Sequence, residues 1–353
     1  MNYYLKEKGY GIERNASSKP RDDFDRIMKN MGFEEIEYET VISKNENISS
    51  RVLANIKRFL SLKKATEILS KGDSLVIQYP LFRPTFFMQN LIKNLNKRKI
   101  KTICIIHDVN YFRYTNVNLS RKVWLYYNDI YSLKKYWKIF VHNNSMKNLL
   151  IKNGFSKENL VPIKIFDYLI DDFTSNLNNN IYDGKIVIAG NLDPSKAKYC
   201  YNLPKNVNFN LYGTNYKREV NTSIENVNYC GSFSPDDLSF LNGSFGLVWD
   251  GDSIDTCNGQ FGEYLRVNNP HKASLYLAAG LPIIIWKKAA LYEFISKNNL
   301  GIGVETLDEV GDILSNMSLG EYNRMKKSVT NYSCLVRKGY FLKQALKKIG
   351  IIA

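Results

Sequence analysis

The chain has 353 residues, 44% of them hydrophobic and 13% aromatic, with 49 Lys and Arg against 34 Asp and Glu and a formal net charge of +15. At roughly 150 residues per domain this is material for two domains, each able to bury a core, and the composition excludes a disordered chain. The positive excess therefore sits on a folded surface and attracts anions, which leaves nucleic acid, an acidic membrane face and phosphorylated small molecules as partners. No run approaches ~18 apolar residues, and the start MNYYLKEKGYG has no apolar stretch of the kind a signal peptide carries, so a cytoplasmic protein is expected. The cysteines Cys104, Cys200, Cys230, Cys257 and Cys334 form no C-x-x-C pair, and His107, His142 and His271 have no metal-ligand spacing, so neither disulfides nor a bound metal is expected.

Taken in chain order, YYLKE reads as a strand, Gly9 to Arg21 as a polar loop, and DDFDRIMKNMGF as a helix whose Phe24, Ile27, Met28 and Met31 recur at helical spacing before Gly32. A basic helix follows over about Val52 to Lys71. Gly72-Asp73 turns the chain into the strand SLVIQYP, Phe86 to Lys97 is helical, and KRKIKTICIIHDVN is an apolar strand ending at His107-Asp108. A helix over about Arg121 to Leu133 leads to the strand KIFVHNN. Between Phe166 and Gly184 an Asn- and Asp-rich stretch without a period reads as a linker region. The alternation then restarts: KIVIAGNL, VNFNLYG and GSFGLVWDGDS as strands with polar ends, PHKASLYLAAG as a helix, LPIIIW as a strand, LYEFISKNN as a helix, and GIGVE. Apolar strands alternating with helices predict an α/β protein of two parallel sheets. A helical tail from about Asp308 to Ile349 carries the stripe Leu335, Phe341, Leu342 and Leu346, which must pack on something.

Open parallel sheets bind ligands at the carboxyl ends of their strands, so the candidate residues lie in those loops. They are Asn15-Ala16-Ser17-Ser18-Lys19, His107-Asp108, Gly190-Asn191, Tyr212-Gly213, Asp250-Gly251-Asp252 and Asn268-Asn269-Pro270-His271-Lys272. Small residues, amides, hydroxyls and a lysine at a helix start suit a diphosphate, because free backbone N–H groups and the helix dipole favour negative charge there. In NNPHKASLYLAAGLPIII, Lys272 reads either as that anion partner or as a solvated helix-start lysine. His107-Asp108 reads either as a catalytic pair or as a polar strand end. Neither a P-loop nor a G-x-G-x-x-G after a strand is present, which argues against nucleotide hydrolysis and dinucleotide redox.

The segment GLVWDGDSIDTCNGQFGEYLRVNNPHKASLYLAAGLPIIIWKKAAL, with NASSKPRDD, IHDVNYFR, AGNLDPSK and LVRKGYFLKQAL, resembles the bacterial β-1,6-galactofuranosyltransferase family and the related glucosyltransferases that glycosylate serine-rich adhesins. The resemblance covers nearly the whole chain and implies the GT-B fold: two Rossmann-like domains facing across a cleft, with a C-terminal helix crossing back. On that reading, residues 1–168 form an acceptor-side domain, 169–184 a linker, 185–325 a nucleotide-sugar-binding domain, and 326–353 a tail that packs on the first domain. It implies a UDP-sugar as donor substrate and no cofactor or metal. The diphosphate would lie against Asn15, Ala16, Ser17 and Ser18 and against the block Asn269, Pro270, His271, Lys272, Ala273 and Ser274. Asn191, Lys196 and Asp250 would lie near the nucleotide-sugar, and Tyr212 and Gly213 near uracil or ribose. The implied reaction is an inverting, metal-independent hexosyl transfer, best matched by UDP-galactofuranose, to a hydroxyl of a glycan acceptor. Asp108 is the first choice as base and His107 the second, with Asp250 and Glu263 behind them.

Other readings are a UDP-glucose-dependent enzyme acting on a protein-linked sugar, and a non-catalytic basic binding protein. Nucleic acid is set aside because no reader motif accompanies the charge. A UDP site uses only a few positive groups. The remaining charge, on helices such as RVLANIKRFLSLKKA and in KNLNKRKIK, is expected to meet the anionic inner membrane face, where a lipid-linked acceptor would sit. Self-association into a homo-oligomer is left open.

Overall fold

A computed structural model describes residues 1–8, 18–40, 47–83, 85, 87–170, 182–220 and 225–353. It divides into two compact units. The first takes the described residues of Met1–Glu13, Phe24–Ile163 and Lys343–Ala353, and the second the described residues of Arg14–Asp23 and Lys164–Leu342.

The first unit is built on β1 (Asn2–Lys8), β2 (Glu34–Glu39), β3 (Ser74–Tyr79), β4 (Lys101–Ile106), β5 (Lys138–Val141) and β6 (Leu160–Pro162), all parallel, in the order β2-β1-β3-β4-β5-β6. Strand β3 is buried at every position, as expected of a strand covered on both faces. Edge strand β2 instead alternates, with Ile36 and Tyr38 inward and glutamates outward. The helices are α1 (Lys19–Asn30), which enters from the second unit, α2 (Ile48–Ala65), α3 (Met88–Lys97), α4 (Asn110–Arg113), α5 (Leu119–Leu125) and α6 (Asn144–Lys152). The single helix expected over Arg121 to Leu133 is α5 followed by six π-helical residues, Tyr126–Tyr131. The basic helix begins earlier than expected, at Ile48, because Asn47 caps it by accepting from the Ser50 N–H at 2.8 Å.

The second unit holds β7 (Ile186–Asn191), α7 (Pro194–Ala197), β8 (Phe209–Thr214), β9 (Val227–Tyr229), β10 (Phe245–Val248), α8 (Gly259–Tyr264), α9 (His271–Ala278), β11 (Ile283–Trp286), α10 (Tyr292–Lys297) and β12 (Gly301–Val304). Its parallel order, β12-β11-β10-β7-β8-β9, is the doubly wound pattern in which the crossovers change direction between β7 and β10. Helix α9 is seated by Gly246 of β10, where any Cβ would lie 2.1 Å from the Tyr276 ring. The Tyr276 hydroxyl in turn accepts from the Ala189 N–H of β7 at 2.8 Å.

After α11 (Glu309–Asn316), α12 (Leu319–Arg337) starts at a Ser318/Glu321 capping box and packs on α9, with Ser333 Oγ donating to the Ala278 carbonyl at 3.0 Å. Helix α13 (Tyr340–Lys348) begins on Asp167, whose carboxylate accepts from the Phe341 and Leu342 N–H groups at 3.0 and 2.8 Å. The tail expected from residue 326 is thus divided, since only Lys343–Ala353 belong to the first unit. At the start of the expected linker region, Phe166, Asp167, Tyr168 and Leu169 are buried parts of the second unit. Among the described residues no helix is long and apolar enough to cross a membrane.

Candidate functional site

In the second unit the strand order puts the candidate site at the carboxyl ends of β7 and β10, where the crossovers diverge. From β10 the chain runs through Trp249 into Asp250 and Gly251. Gly251 has φ +113° and lies against Asn258, where a Cβ would meet the carbonyl oxygen at 2.4 Å. Asn258 Oδ1 accepts from the Asp252 N–H at 2.8 Å, and the Gly251 N–H reaches the Lys196 carbonyl at 3.4 Å. Backbone contacts therefore hold the Asp250 loop beside α7 and Lys196. The Lys196 ammonium lies 5.7 Å from the Phe261 ring centroid.

Helix α9 points its N-terminus into the same region. The Ala273 N–H donates back to the Pro270 carbonyl at 3.0 Å, the His271 and Lys272 N–H groups precede any helical acceptor, and the helix carries no side-chain cap. The Lys272 ammonium donates to the Trp249 carbonyl and to Asp250 Oδ1, both at 2.8 Å. An ammonium has three hydrogens, so one remains for a ligand. Lys272 is thus ion-paired rather than a solvated helix-start lysine.

Three buried polar atoms around this helix start have no protein partner: Asn268 Oδ1, His271 Nε2 and Ser274 Oγ. Burying such atoms unpaired costs free energy, and a bound polar ligand would recover it. His271 makes a backbone hydrogen bond to Asp167, and since Nε2 has no partner this engages Nδ1. Burial first, and then the nearby Lys19 charge, push its pKa down to about 3, so at neutral pH Nε2 presents a lone pair. The ring stacks on Tyr168 at 5.0 Å.

Beneath it Lys19 is buried at 3% exposure, bonded to Asp23 at 2.5 Å, the Leu169 carbonyl at 2.6 Å and Asp236 at 3.0 Å. Lys19, Asp23, Tyr168 and Asp236 fix the floor under His271. Sequence reading missed this role for them because Asp236 and the 168–169 segment lie far along the chain from α1. The candidates Asn269, Ala273 and Ser274 are buried, and Asn269 donates to the Lys164 carbonyl at 2.8 Å. Pro270 is the N-cap residue.

Other candidates are engaged in the scaffold. Asn191 Oδ1 accepts from the Asp193 N–H and from Asn215 Nδ2, both at 3.0 Å. Tyr212 is buried, its hydroxyl accepting from the Asn242 N–H at 3.1 Å, so its ring serves the core. Gly213 abuts Gly190, where a Cβ would come within 1.7 Å of the carbonyl oxygen. Ser18 opens α1 through its carbonyl, while Asn15, Ala16 and Ser17 lie outside the described residues.

His107 and Asp108 belong to the first unit, at the end of β4. The Asp108 carboxylate pairs with Arg113 Nη1 at 3.0 Å. His107 Nε2 lies 2.6 Å from Gln78 Oε1, and the Gln78 amide donates to Asp25 Oδ1 at 2.7 Å. Asp25 orients the amide so that its oxygen faces the imidazole, which assigns the proton to Nε2. A further carboxylate, Asp129, is buried under this loop. It accepts from the Tyr79 hydroxyl at 2.5 Å and from the Tyr111 N–H at 2.7 Å, and so clamps the start of α4 just after Asp108. Desolvation raises its pKa to about 6. Its sequence signal was only an acid in an otherwise apolar helical stretch. Among the described residues no cluster of three or more His, Cys, Asp or Glu could hold a metal ion.

Comparison with known proteins matches residues 2–165 to the glucosyltransferase 3-like N-terminal domain and residues 186–349 to the glucosyltransferase 3-like C-terminal domain. The chain is 30% identical over 350 residues to the β-1,6-galactofuranosyltransferase WbbI of Escherichia coli K12, covering 98% of each. It is 26% identical to glucosyltransferase 3 of Streptococcus gordonii, covering 96% of this chain and 95% of that one. Among solved structures, the chain is similar in fold to HepE of Anabaena in complex with UDP-glucose, with TM-score 0.55, 11% identity and 99% of each chain covered. It is likewise similar to sucrose-phosphate synthase of Thermosynechococcus elongatus, with TM-score 0.60, 11% identity and 99% and 97% of the two chains covered. The fold is GT-B, and the chain belongs to the glucosyltransferase 3-like family of glycosyltransferases.

Proposed function

We propose that the protein transfers a hexose from a UDP-sugar to a hydroxyl of a glycan acceptor, with UDP-galactofuranose as donor, by inversion and without a metal. The observation that carries the donor site is the start of α9. Three unpartnered buried polar atoms, the His271 and Lys272 N–H groups and the one uncommitted hydrogen of Lys272 belong to residues in or next to that helix start, where Lys272 pairs with Asp250. This is the chemistry of a diphosphate site at a doubly wound switch point. The galactofuranosyl reading rests on the 30% identity to WbbI, and UDP-glucose is second on the 26% identity to glucosyltransferase 3.

In the proposed reaction the acceptor oxygen attacks C1 of the donor as the C1–O bond to the β-phosphate breaks. The electron pair leaves with UDP, and the acceptor hydroxyl proton passes to Asp108, with His107 as second choice. Lys272 and the α9 dipole stabilise the charge that develops on the leaving diphosphate. Arg113 holds the Asp108 carboxylate in one orientation. The acceptor is taken to be a lipid-linked glycan, with the enzyme peripheral on an anionic membrane face, in keeping with the net charge of +15.

The test is UDP release from UDP-galactofuranose and UDP-glucose separately, with a panel of glycan acceptors, in buffer containing EDTA. Release with the first donor and a β-linked product by NMR is expected. Release only with UDP-glucose would replace the donor assignment, loss of activity in EDTA would remove metal independence, and release with neither donor would sink the reading.

A further inference from the structure

Helix α2 has two apolar faces. One, with Ala54 and Leu62, is buried in the first unit. The other carries Ile48, Val52, Leu53, Ile56 and Leu60, which are between 40% and 81% exposed. At 3.6 residues per turn these fall on one continuous stripe about 18 Å long. The helix holds Arg51, Lys57, Arg58, Lys63 and Lys64 and no acidic residue, and the exposed Lys57, Lys63 and Lys64 border or interrupt the stripe.

A second exposed group follows on α5 and its π-helical continuation: Leu119, Val123, Trp124, Tyr126 and Tyr127, between 42% and 78% exposed, with Arg121 and Lys122 among them. The start of α3 joins the two. Phe87, itself half exposed, meets Phe59 of α2 edge to face at 5.9 Å, and Gln89 hydrogen-bonds the Tyr127 hydroxyl.

We propose that this α2–α5 face is a membrane-docking surface that inserts its apolar side chains into the headgroup region of an anionic bilayer. Exposed apolar residues bordered by lysines, with Trp and Tyr in the adjoining group, are the chemistry of an interfacial helix. Charge selects lipid over a second copy of the chain, because pairing the face with itself would oppose the uncompensated lysines of two α2 helices, whereas anionic headgroups neutralise them. The assignment rests on the peripheral location proposed above and adds the surface that makes the contact.

The experiment is co-sedimentation with vesicles of phosphatidylglycerol and phosphatidylcholine at low salt, with pure phosphatidylcholine as control. The full-length protein is expected to bind the anionic vesicles and to be released by salt. The V52N/I56N/L60N variant should partition at least tenfold more weakly with an unchanged melting temperature, and quenching of Trp124 by brominated lipid should accompany wild-type binding. Should the triple variant fold poorly, K57E/K63E/K64E, altered only at exposed lysines, is expected to lose binding in its place. Equal binding by wild type and these variants, or binding without Trp124 quenching, would overturn the surface while leaving the peripheral location standing. No binding by the wild type would overturn the location itself, and concentration-dependent dimers abolished by V52N/I56N/L60N would give the face to a second copy.

Discussion

The Lys272 ammonium lies 2.8 Å from Asp250 Oδ1, and both side chains are largely buried, at 17% and 10% exposure. The pair joins the α9 helix start to the loop after β10, so one contact both orients the cation and holds the loop. Lys272→Met should weaken UDP binding by roughly 10- to 100-fold, the worth of a charge-assisted hydrogen bond at ~1.5–3 kcal/mol. It should also destabilise the fold by up to ~3 kcal/mol, because the Asp250 carboxylate is left buried without its partner. Asp250→Asn keeps the cation and should leave UDP affinity within about a factor of ten by the same reckoning. Calorimetric titration with UDP checks both, and equal losses in the two variants would mean that Lys272 acts only as a scaffold.

Gly213 and Gly190 offer a sharper contrast. Both have positive φ, +150° and +136°, but a Cβ on Gly213 would lie 1.7 Å from the Gly190 carbonyl oxygen, while one on Gly190 meets nothing within 4 Å. Gly190→Ala should therefore cost only its backbone strain, ~1–2 kcal/mol. Gly213→Ala must force β7 and β8 apart at their ends and should cost roughly 4 kcal/mol or more, in the range reserved for severe steric conflicts. Urea unfolding of the two variants measures the difference, and similar midpoints would contradict the close strand contact.

Asp129 predicts a pH dependence. Its pKa in the folded protein is raised to about 6 from an ordinary 3.8. The folded state thus binds the proton more tightly than the unfolded chain, and the buried carboxylate opposes folding once it ionises. Stability of the wild type relative to Asp129→Asn should rise as pH falls from about 7 to about 4, by roughly 3 kcal/mol, and be flat outside that window. Denaturant midpoints across this range test it. A difference independent of pH would mean that Asp129 is ionised at no such cost.

The strands that were legible in sequence are those buried on both faces, such as SLVIQY and KTICII, whose uninterrupted apolar runs leave no other reading. Edge strand EEIEYE was not, because only Ile36 and Tyr38 face inward and four glutamates dilute the signal. The three-residue edge strands Leu160–Pro162 and Val227–Tyr229 are too short to carry any period. At the site, helix-start chemistry made the Asn269–Ser274 block readable, since N-cap proline and a lysine are local features. What decides how that block works is non-local. The partners of Lys19 at Leu169 and Asp236, and the stacking of Tyr168 on His271, join residues about a hundred or more positions apart, which no periodicity encodes. The engagement of Tyr212 in the core has the same origin, because Asn242, which donates to its hydroxyl, lies on a separate loop.

His271 supplies the last test. Burial and the Lys19 charge hold its pKa at about 3, against an ordinary 6.5. For a base whose folded pKa is depressed, the stability associated with its neutral form is complete above about pH 6.5 and is lost as pH falls toward 3, at ~1.4 kcal/mol per pH unit. The stability of the wild type relative to His271→Gln should therefore decline steadily below pH 6.5. Heteronuclear NMR of the ring should show a single neutral form between pH 5 and 8, with the proton on Nδ1 and Nε2 bare. A ring that protonates near pH 6 would remove the buried acceptor from the α9 site, and the complementarity to a polar ligand argued from its unpartnered Nε2 would go with it.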